Sequence, residues 1–368
     1  MRYLEEELVA IAKREKNVKR NYLVVNRLQG KHIPVKPEKA LEMFDSLAEI
    51  VLQKMQKKKI LVIGFAETAT AIGSEVAIKT KSFFMQTTRE EIEGVEYFYF
   101  SEVHSHAAEQ KLVKTDLDRI IYEIEEIVFV EDEITTGNTI LNIVREIKRG
   151  YSERKISFSV ASILNGMDEM AIKSFKEEKI SYFYLVKTDH RLYGKRAEQF
   201  KKTQESFCFS AQEKKLIQKV EFLSECNPRR LTDSLCFFDD CVKAAEQVLP
   251  FLKKEENILV LGTEEFMFPG LWIAREIEKL GYEVYFHATT RSPIVPSKEE
   301  EYPLHHRFQM RSCYQEDRIT FLYDVRKYDK VFIVTDADCT ENIGLMDLEE
   351  TLEKCGNHKI VVLEWKEK

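Results

Sequence analysis

The 368-residue chain has no apolar run near the roughly 20 residues a helix needs to cross a bilayer. Its opening residues, MRYLEEELVAIAKREKN, are too charged for a signal-peptide core, so a cytoplasmic protein without a membrane partner is expected. The seven cysteines (Cys208, Cys226, Cys236, Cys241, Cys313, Cys339 and Cys355) include no CxxC pair and are odd in number, which favours reduced, partly buried thiols over a disulfide framework or zinc ribbon. Positive charge is not in excess. The formal net charge of -7, with no helix-turn-helix or basic stretch, argues against direct nucleic-acid binding. Walker and GxGxxG loops are also missing. What remains is an ordinary globular composition, 44% hydrophobic and 32% charged, long enough for two or three domains.

The chemistry concentrates in residues 127–139, IVFVEDEITTGNT. Ile127 to Val130 read as a buried parallel strand, with Glu131 and Asp132 where it would leave the sheet. Thr135, Thr136, Gly137, Asn138 and Thr139 follow, then a helical run from Ile140 to Ile147. Such a loop can wrap a phosphate with backbone N–H groups, helped by positive φ at the glycine and by the helix dipole. Carboxylates cannot hold that phosphate, but they can accept hydrogen bonds from a diol one sugar-length away. A ribose 5-phosphate fits both halves.

This pattern resembles the phosphoribosyl-pyrophosphate (PRPP) motif of type I phosphoribosyltransferases: apolar strand, two acids, two spacers, T-T-G-x-T. The resemblance implies that Thr135 to Thr139 hold the 5-phosphate and that Glu131 and Asp132 hold the ribose hydroxyls. It also implies Mg²⁺ as cofactor, held through pyrophosphate with Asp132 as a protein contact, a base-like acceptor of unstated identity, and a homodimer.

Around the motif the pattern is βα throughout, so the expected fold is α/β: a mainly parallel sheet with helices on both faces, then a second α/β domain resembling a degenerate copy. Boundaries are expected at 1–205, with a 206–235 linker and a 236–368 second domain. Residues 1–20 read as an amphipathic helix and Ile60 to Ile63 as the first core strand. The loop after that strand offers Glu67, Thr68 and Thr70 for Mg²⁺-pyrophosphate, with a plain helix cap as the alternative. Arg89, just past the next strand, suits a phosphate contact. Gly30-Lys31 looks like the Gly-Lys pair in the hood of orotate phosphoribosyltransferase-like enzymes. The polar run holding His104, His106, Lys111 and Lys114 reads as a loop over the site. Orotate enzymes use a lysine there, and this loop leads with histidines, which leaves the general acid open.

The second half repeats the first. ILVLGTEE at 258–265 matches ILVIGFAE at 60–67, Thr289-Thr290-Arg291 matches Thr87-Thr88-Arg89, and KVFIVTDADCTENI at 330–343 echoes the PRPP motif with Asp336 opposite Asp132. In this copy Thr335 replaces Glu131, Glu341 replaces Gly137 and Ile343 replaces Thr139, and an acid where phosphate should sit repels it. Residues 290–293 spell TRSP, and the whole chain resembles a bacterial family pairing an orotate phosphoribosyltransferase-like domain with a C-terminal TRSP domain, associated with tellurium-resistance and stress-response gene clusters. Arg291 and Ser292 are expected to serve acceptor recognition or closure. A non-catalytic PRPP sensor and a stress-complex scaffold are the competing functions.

Overall fold

The computed structural model describes residues 3–15, 20–100, 110–203, 206–208 and 218–368. These form two compact units that do not follow the chain in order. One holds Glu42–Thr188 and Glu225–Asp240, and the other Leu4–Leu41, Asp189–Ser224 and Cys241–Lys368.

The first unit is built on a six-stranded sheet in the order Thr232–Asp233, Phe83–Gln86, Ile60–Gly64, Glu126–Ile134, Ser157–Asn165, Ile180–Lys187. All neighbours are parallel except the short first strand, which runs antiparallel along the Phe83–Gln86 edge. ILVIG is buried at every position, as expected of a strand covered by helices on both faces. Helix Asn138–Gly150 buries Ile140, Leu141, Ile143, Val144 and Ile147, an i, i+3, i+4, i+7 stripe, and ends with Lys148 and Arg149 against its negative pole.

In the second unit a five-stranded, wholly parallel sheet runs Gln218–Ser224, Ile360–Glu367, Lys330–Thr335, Asn257–Gly262, Glu283–Ala288. Its winding repeats the first. In both, the earliest strand of the repeat is central, the second lies on one flank, and the third and fourth follow on the other. Matching hydrogen bonds carry the repeat to the atoms. The Thr87 amide donates to Gly64 O at 3.0 Å, and that of Thr289 to Gly262 O at 3.1 Å. Ala66 N donates to Thr87 Oγ1 at 2.8 Å, and Glu264 N to Thr289 Oγ1 at 3.0 Å. Thr88 bridges Lys111 as Thr290 bridges Phe321. The fifth strand breaks the symmetry, coming after the repeat in the first unit and before it in the second.

The N-terminus departs from the expected helix. Among the described residues of that stretch only Glu5–Leu8 is helical, and Val9–Arg14 is a strand between Tyr22–Asn26 and Ile294–Val295. Tyr22–Asn26 pairs with it from Val9 to Lys13, Ile294–Val295 pairs with Lys13 and Arg14 on the other side, and Ala10, Ile11 and Ala12 are buried. This pairing makes residues 4–41 part of the second unit, whereas the sequence suggested a first domain running unbroken from 1 to 205.

Gly30 sits where this segment meets Phe286. Its φ is +77°, and a Cβ there would lie 2.5 Å from Phe286 Cδ1. Gly30→Ala should therefore destabilise the second unit by about 2–3 kcal/mol. Both tryptophans of the chain, Trp272 and Trp365, lie in that unit. The urea midpoint followed by tryptophan fluorescence should fall accordingly.

Candidate active site

The third strand of the first sheet outruns its neighbour. Ile60–Gly64 pairs with residues 126 to 130 and stops, while Glu126–Ile134 continues beside Ser157–Asn165, with Glu131 opposite Ser162 and Glu133 opposite Leu164. Glu131 and Asp132 therefore stay within the strand rather than leaving the sheet as the sequence suggested. Their other flank faces the loop that follows Gly64, where Phe65 N still donates to Val130 O at 3.0 Å. Loops on the two sides of this point turn away from each other, which is the crevice where parallel α/β sheets bind ligands.

Across that crevice Thr68 Oγ1 donates to Asp132 Oδ1 at 2.8 Å, joining the two loops the sequence singled out. Glu67 lies beside it, 9% exposed, after a cis Ala66–Glu67 peptide. Thr70 is buried in the first turn of its helix, so the site's polar rim is built by Glu67 and Thr68. Burial pushes the Asp132 carboxyl up to about 6, with the Glu133 charge adding to the rise and the Thr68 hydrogen bond opposing it. Burial likewise raises Glu131 well above the usual range, with the Asp132 and Glu133 charges adding to it.

Beyond the acids, Thr135 and Thr136 lead to Gly137, which caps helix Asn138–Gly150 in the left-handed region at φ +69°. No side chain caps this N-terminus, and Asn138 and Thr139 stand at its accessible rim. Asn138 N has only a long contact, to Thr136 Oγ1 at 3.4 Å, and first-turn amides that lack a capping side chain suit an anion. Phe175 fixes the glycine from below, because a Cβ on Gly137 would lie 2.3 Å from its ring. The equivalent helix of the second unit, Ile343–Lys354, is closed by its own chain: Asn342 accepts from Leu345 N at 2.9 Å, and Glu341 takes the left-handed position.

Other expected residues are placed differently. Arg89 is partly buried just past the Phe83–Gln86 strand, next to Thr88, whose backbone pairs with that of Lys111. Lys111 is in strand Lys111–Val113, its ammonium bonded to Glu91 and 4.7 Å from the Tyr97 ring centroid, so it is not a loop lysine. Lys114 pairs with Glu96 and Asp118. His104 and His106 lie outside the described residues. Lys31 belongs to the second unit, where its buried ammonium donates to Glu264 O at 2.6 Å and Thr289 O at 2.9 Å. A lysine after a glycine looks like a ligand-facing tip, but the β pairing of the N-terminal segment carries it inward. Arg291 is engaged too, with Nη2 3.0 Å from Glu265 Oε1 and Nε 3.8 Å from Glu264 Oε2. The Ser292 carbonyl accepts from Tyr323 Oη at 2.6 Å.

Two supporting residues went unread in the sequence as parts of the site. Thr87 anchors the Glu67 loop through Ala66 N, and Gln110 Nε2 donates to Ala66 O at 3.2 Å. The recurrence of Thr-Thr-Arg in the second half was the signal for the first, since Thr87 and Thr289 make the same two bonds in their units. Among the described residues no three His, Cys, Asp or Glu side chains form a metal cage, and no helix is long and apolar enough to cross a membrane.

An uncapped helix start and a raised carboxylate pair stand together at the switch point of a parallel sheet. Residues 8–194 match the family model described as phosphoribosyl transferase (PRTase_2), and residues 230–348 match the TRSP domain that lies C-terminal to it. The chain belongs to this phosphoribosyltransferase family, whose common activity is PRPP-dependent transfer. A comparison with characterised proteins gives no match. Among solved structures it is similar to adenine phosphoribosyltransferase from Rhodothermus marinus (12% identity over 50% of this chain and 96% of that one, TM-score 0.36). It is also similar to the Trypanosoma brucei adenine enzyme in complex with AMP, pyrophosphate and ribose-5-phosphate (14% identity, 50% and 77% covered, TM-score 0.35).

The raised Asp132 carboxyl has a stability consequence of definite sign. The native chain holds this proton more tightly than the unfolded chain, whose aspartates titrate near 3.9, so ionisation opposes folding above about pH 6 and that opposition fades as pH falls through 6. Asp132→Asn should therefore stabilise the first unit at pH 8 by about 1–3 kcal/mol, with the gain gone by pH 4. Melting followed by far-ultraviolet circular dichroism at the two pH values checks it.

Proposed function

We propose that the first unit is a Mg²⁺-dependent phosphoribosyltransferase that moves ribose 5-phosphate from PRPP to a nitrogenous acceptor, releasing pyrophosphate. The observation that carries this reading is the uncapped helix start at Gly137 beside the Thr68-anchored Asp132. Amides of residues 136 to 139 and the hydroxyls of Thr135, Thr136 and Thr139 hold the 5-phosphate. Glu131 and Asp132, ionised, accept from the ribose hydroxyls and keep negative charge near the anomeric carbon as it becomes oxocarbenium-like.

Glu67, Thr68 and Arg89 line the pyrophosphate side. The donor set fits Mg²⁺, which takes one or two carboxylates plus substrate phosphates rather than an all-protein cage; Asp132 and Glu67 are the carboxylates that would hold it. When bound, the ion neutralises charge on the leaving pyrophosphate. The ring nitrogen of the acceptor attacks as pyrophosphate departs, and water must be kept away to prevent hydrolysis of PRPP. The second unit, with its helix start capped by Asn342 and an acid at 341, is read as a copy without its own PRPP site, and Arg291 as a residue that holds its loop in shape. A homodimer and a cytoplasmic location complete the proposal.

The test follows pyrophosphate release from PRPP and Mg²⁺ with a panel of bases and fractionated small-molecule extract. Release that depends on one acceptor fraction is expected, at least 100-fold lower in Asp132→Asn. It should also fall in parallel with Asp132 protonation below about pH 6. PRPP binding with no release for any acceptor would instead favour a sensor. Neither binding nor release would remove the reading altogether.

A further inference from the structure

Residues 225–240 leave the second unit's part of the chain, join the first unit, and hand the chain back at Cys241. They hold the edge of the first sheet like a clasp. Gln86 N donates to Pro228 O at 2.9 Å, and Ser234 Oγ to Ala77 O at 3.0 Å. Arg230 grips the buried Asp116 with Nε at 2.6 Å and Nη2 at 2.9 Å, and Phe237 stacks on Phe84 with ring planes 15° apart. Two cysteines stand near the two ends of this clasp. Cys226 Sγ and Cys236 Sγ are 3.4 Å apart, the first buried and the second half-exposed in the opening turn of helix Ser234–Val248.

We propose that Cys226 and Cys236 are a modification site, a thiol pair that a peroxide-class oxidant converts to a reversible disulfide, fastening the clasp to the first sheet. A disulfide needs about 2.05 Å between sulfurs, so the pair at 3.4 Å has little more than an ångström to close, a distance that side-chain torsions can supply. The chemistry balances. The sulfur of Cys236, the less buried residue of the pair, attacks one peroxide oxygen, the O–O bond breaks, and the thiol proton leaves with the second oxygen as water, giving a sulfenic acid. Cys226 sulfur then displaces the sulfenic oxygen, its own proton going to that oxygen, so the S–S bond forms and a second water departs. Both cysteines are oxidised and the peroxide is reduced. Burial holds the Cys226 thiol up at about 12, which suits a resolving partner rather than the first nucleophile. A dithiol reductant reverses the step by exchange.

Joining the ends restricts what the clasp can do when it lifts, so lifting becomes rarer. The inference is independent of the acceptor and of turnover at the first site. Its test treats the full chain with hydrogen peroxide, maps the cross-linked peptides by mass spectrometry, and follows amide exchange at Gln86 and Leu231, whose N–H groups bond to Pro228 O and Asp116. The expected result is a Cys226–Cys236 peptide pair lighter by two hydrogens, reversed by a dithiol, with at least tenfold slower exchange at both amides. The pair should be missing in Cys236→Ser and, independently, in Cys226→Ala. Cys236 alkylated or sulfinylated without the cross-link, or joined to another cysteine, would overturn the site. Full cross-linking with unchanged exchange would overturn the fastening.

Discussion

Everything at the candidate site depends on one mismatch of strand length. Gly64 ends its strand level with Val130, while the neighbouring strand runs on to Ile134. Glu131, Glu133 and Ile134 thus remain paired on one side, at Ser162, Leu164 and Asn165, while the other side opens to a loop. That half-pairing keeps Glu131 and Asp132 within the strand, and Thr68 Oγ1 reaches Asp132 Oδ1 at 2.8 Å from the open side. Rigid backbone matters because two neighbouring acids with a third at Glu133 repel each other, and a flexible loop would spread them apart. The raised carboxyls are first the cost of burying these acids, with their mutual repulsion adding to it, a perturbation characteristic of functional sites.

Within one chain the same winding occurs twice with opposite outcomes at the same helix start. Gly137 leaves the first-turn amides without a side-chain cap, whereas Asn342 supplies its own acceptor in the second unit. The difference is local and cheap: a cap of this kind is worth about 1 kcal/mol, and forgoing it costs the first unit that much unless an anion takes its place. The buried Lys31 and the partly buried Arg291 and Arg318 around Glu264 and Glu265 extend the contrast. The second crevice has filled itself with charges of its own chain.

What was legible in the sequence and what was not divide along a physical line. The βα order, the repeat and the PRPP loop rest on local periodicity and short spacings, and the strands at 60, 127 and 157 fall where the apolar runs put them. Misread features all depend on distant pairing. VAIAKR has helical neighbours and becomes a strand because residues 22–26 and 294–295 flank it. Lys31 is polar and follows a glycine, yet its ammonium is buried against carbonyls more than two hundred residues away. Lys111 looked mobile because its predecessors are polar, and it is fixed by pairing with Thr88. No local pattern carries such information. The overhang of Glu131 was missed for the same reason, since register is set between strands and not along one.

The N-terminal strand also has a history on the ribosome. Val9–Arg14 is made early, but its partner Ile294–Val295 follows some 280 residues later, a delay of tens of seconds at usual elongation rates. The Phe83–Gln86 edge likewise waits for Thr232–Asp233. The nascent chain therefore carries unpaired strand edges through most of its synthesis, and neither unit can be completed in the order in which it is translated. A chaperone that shields these edges would act on this protein before it acts on its finished form.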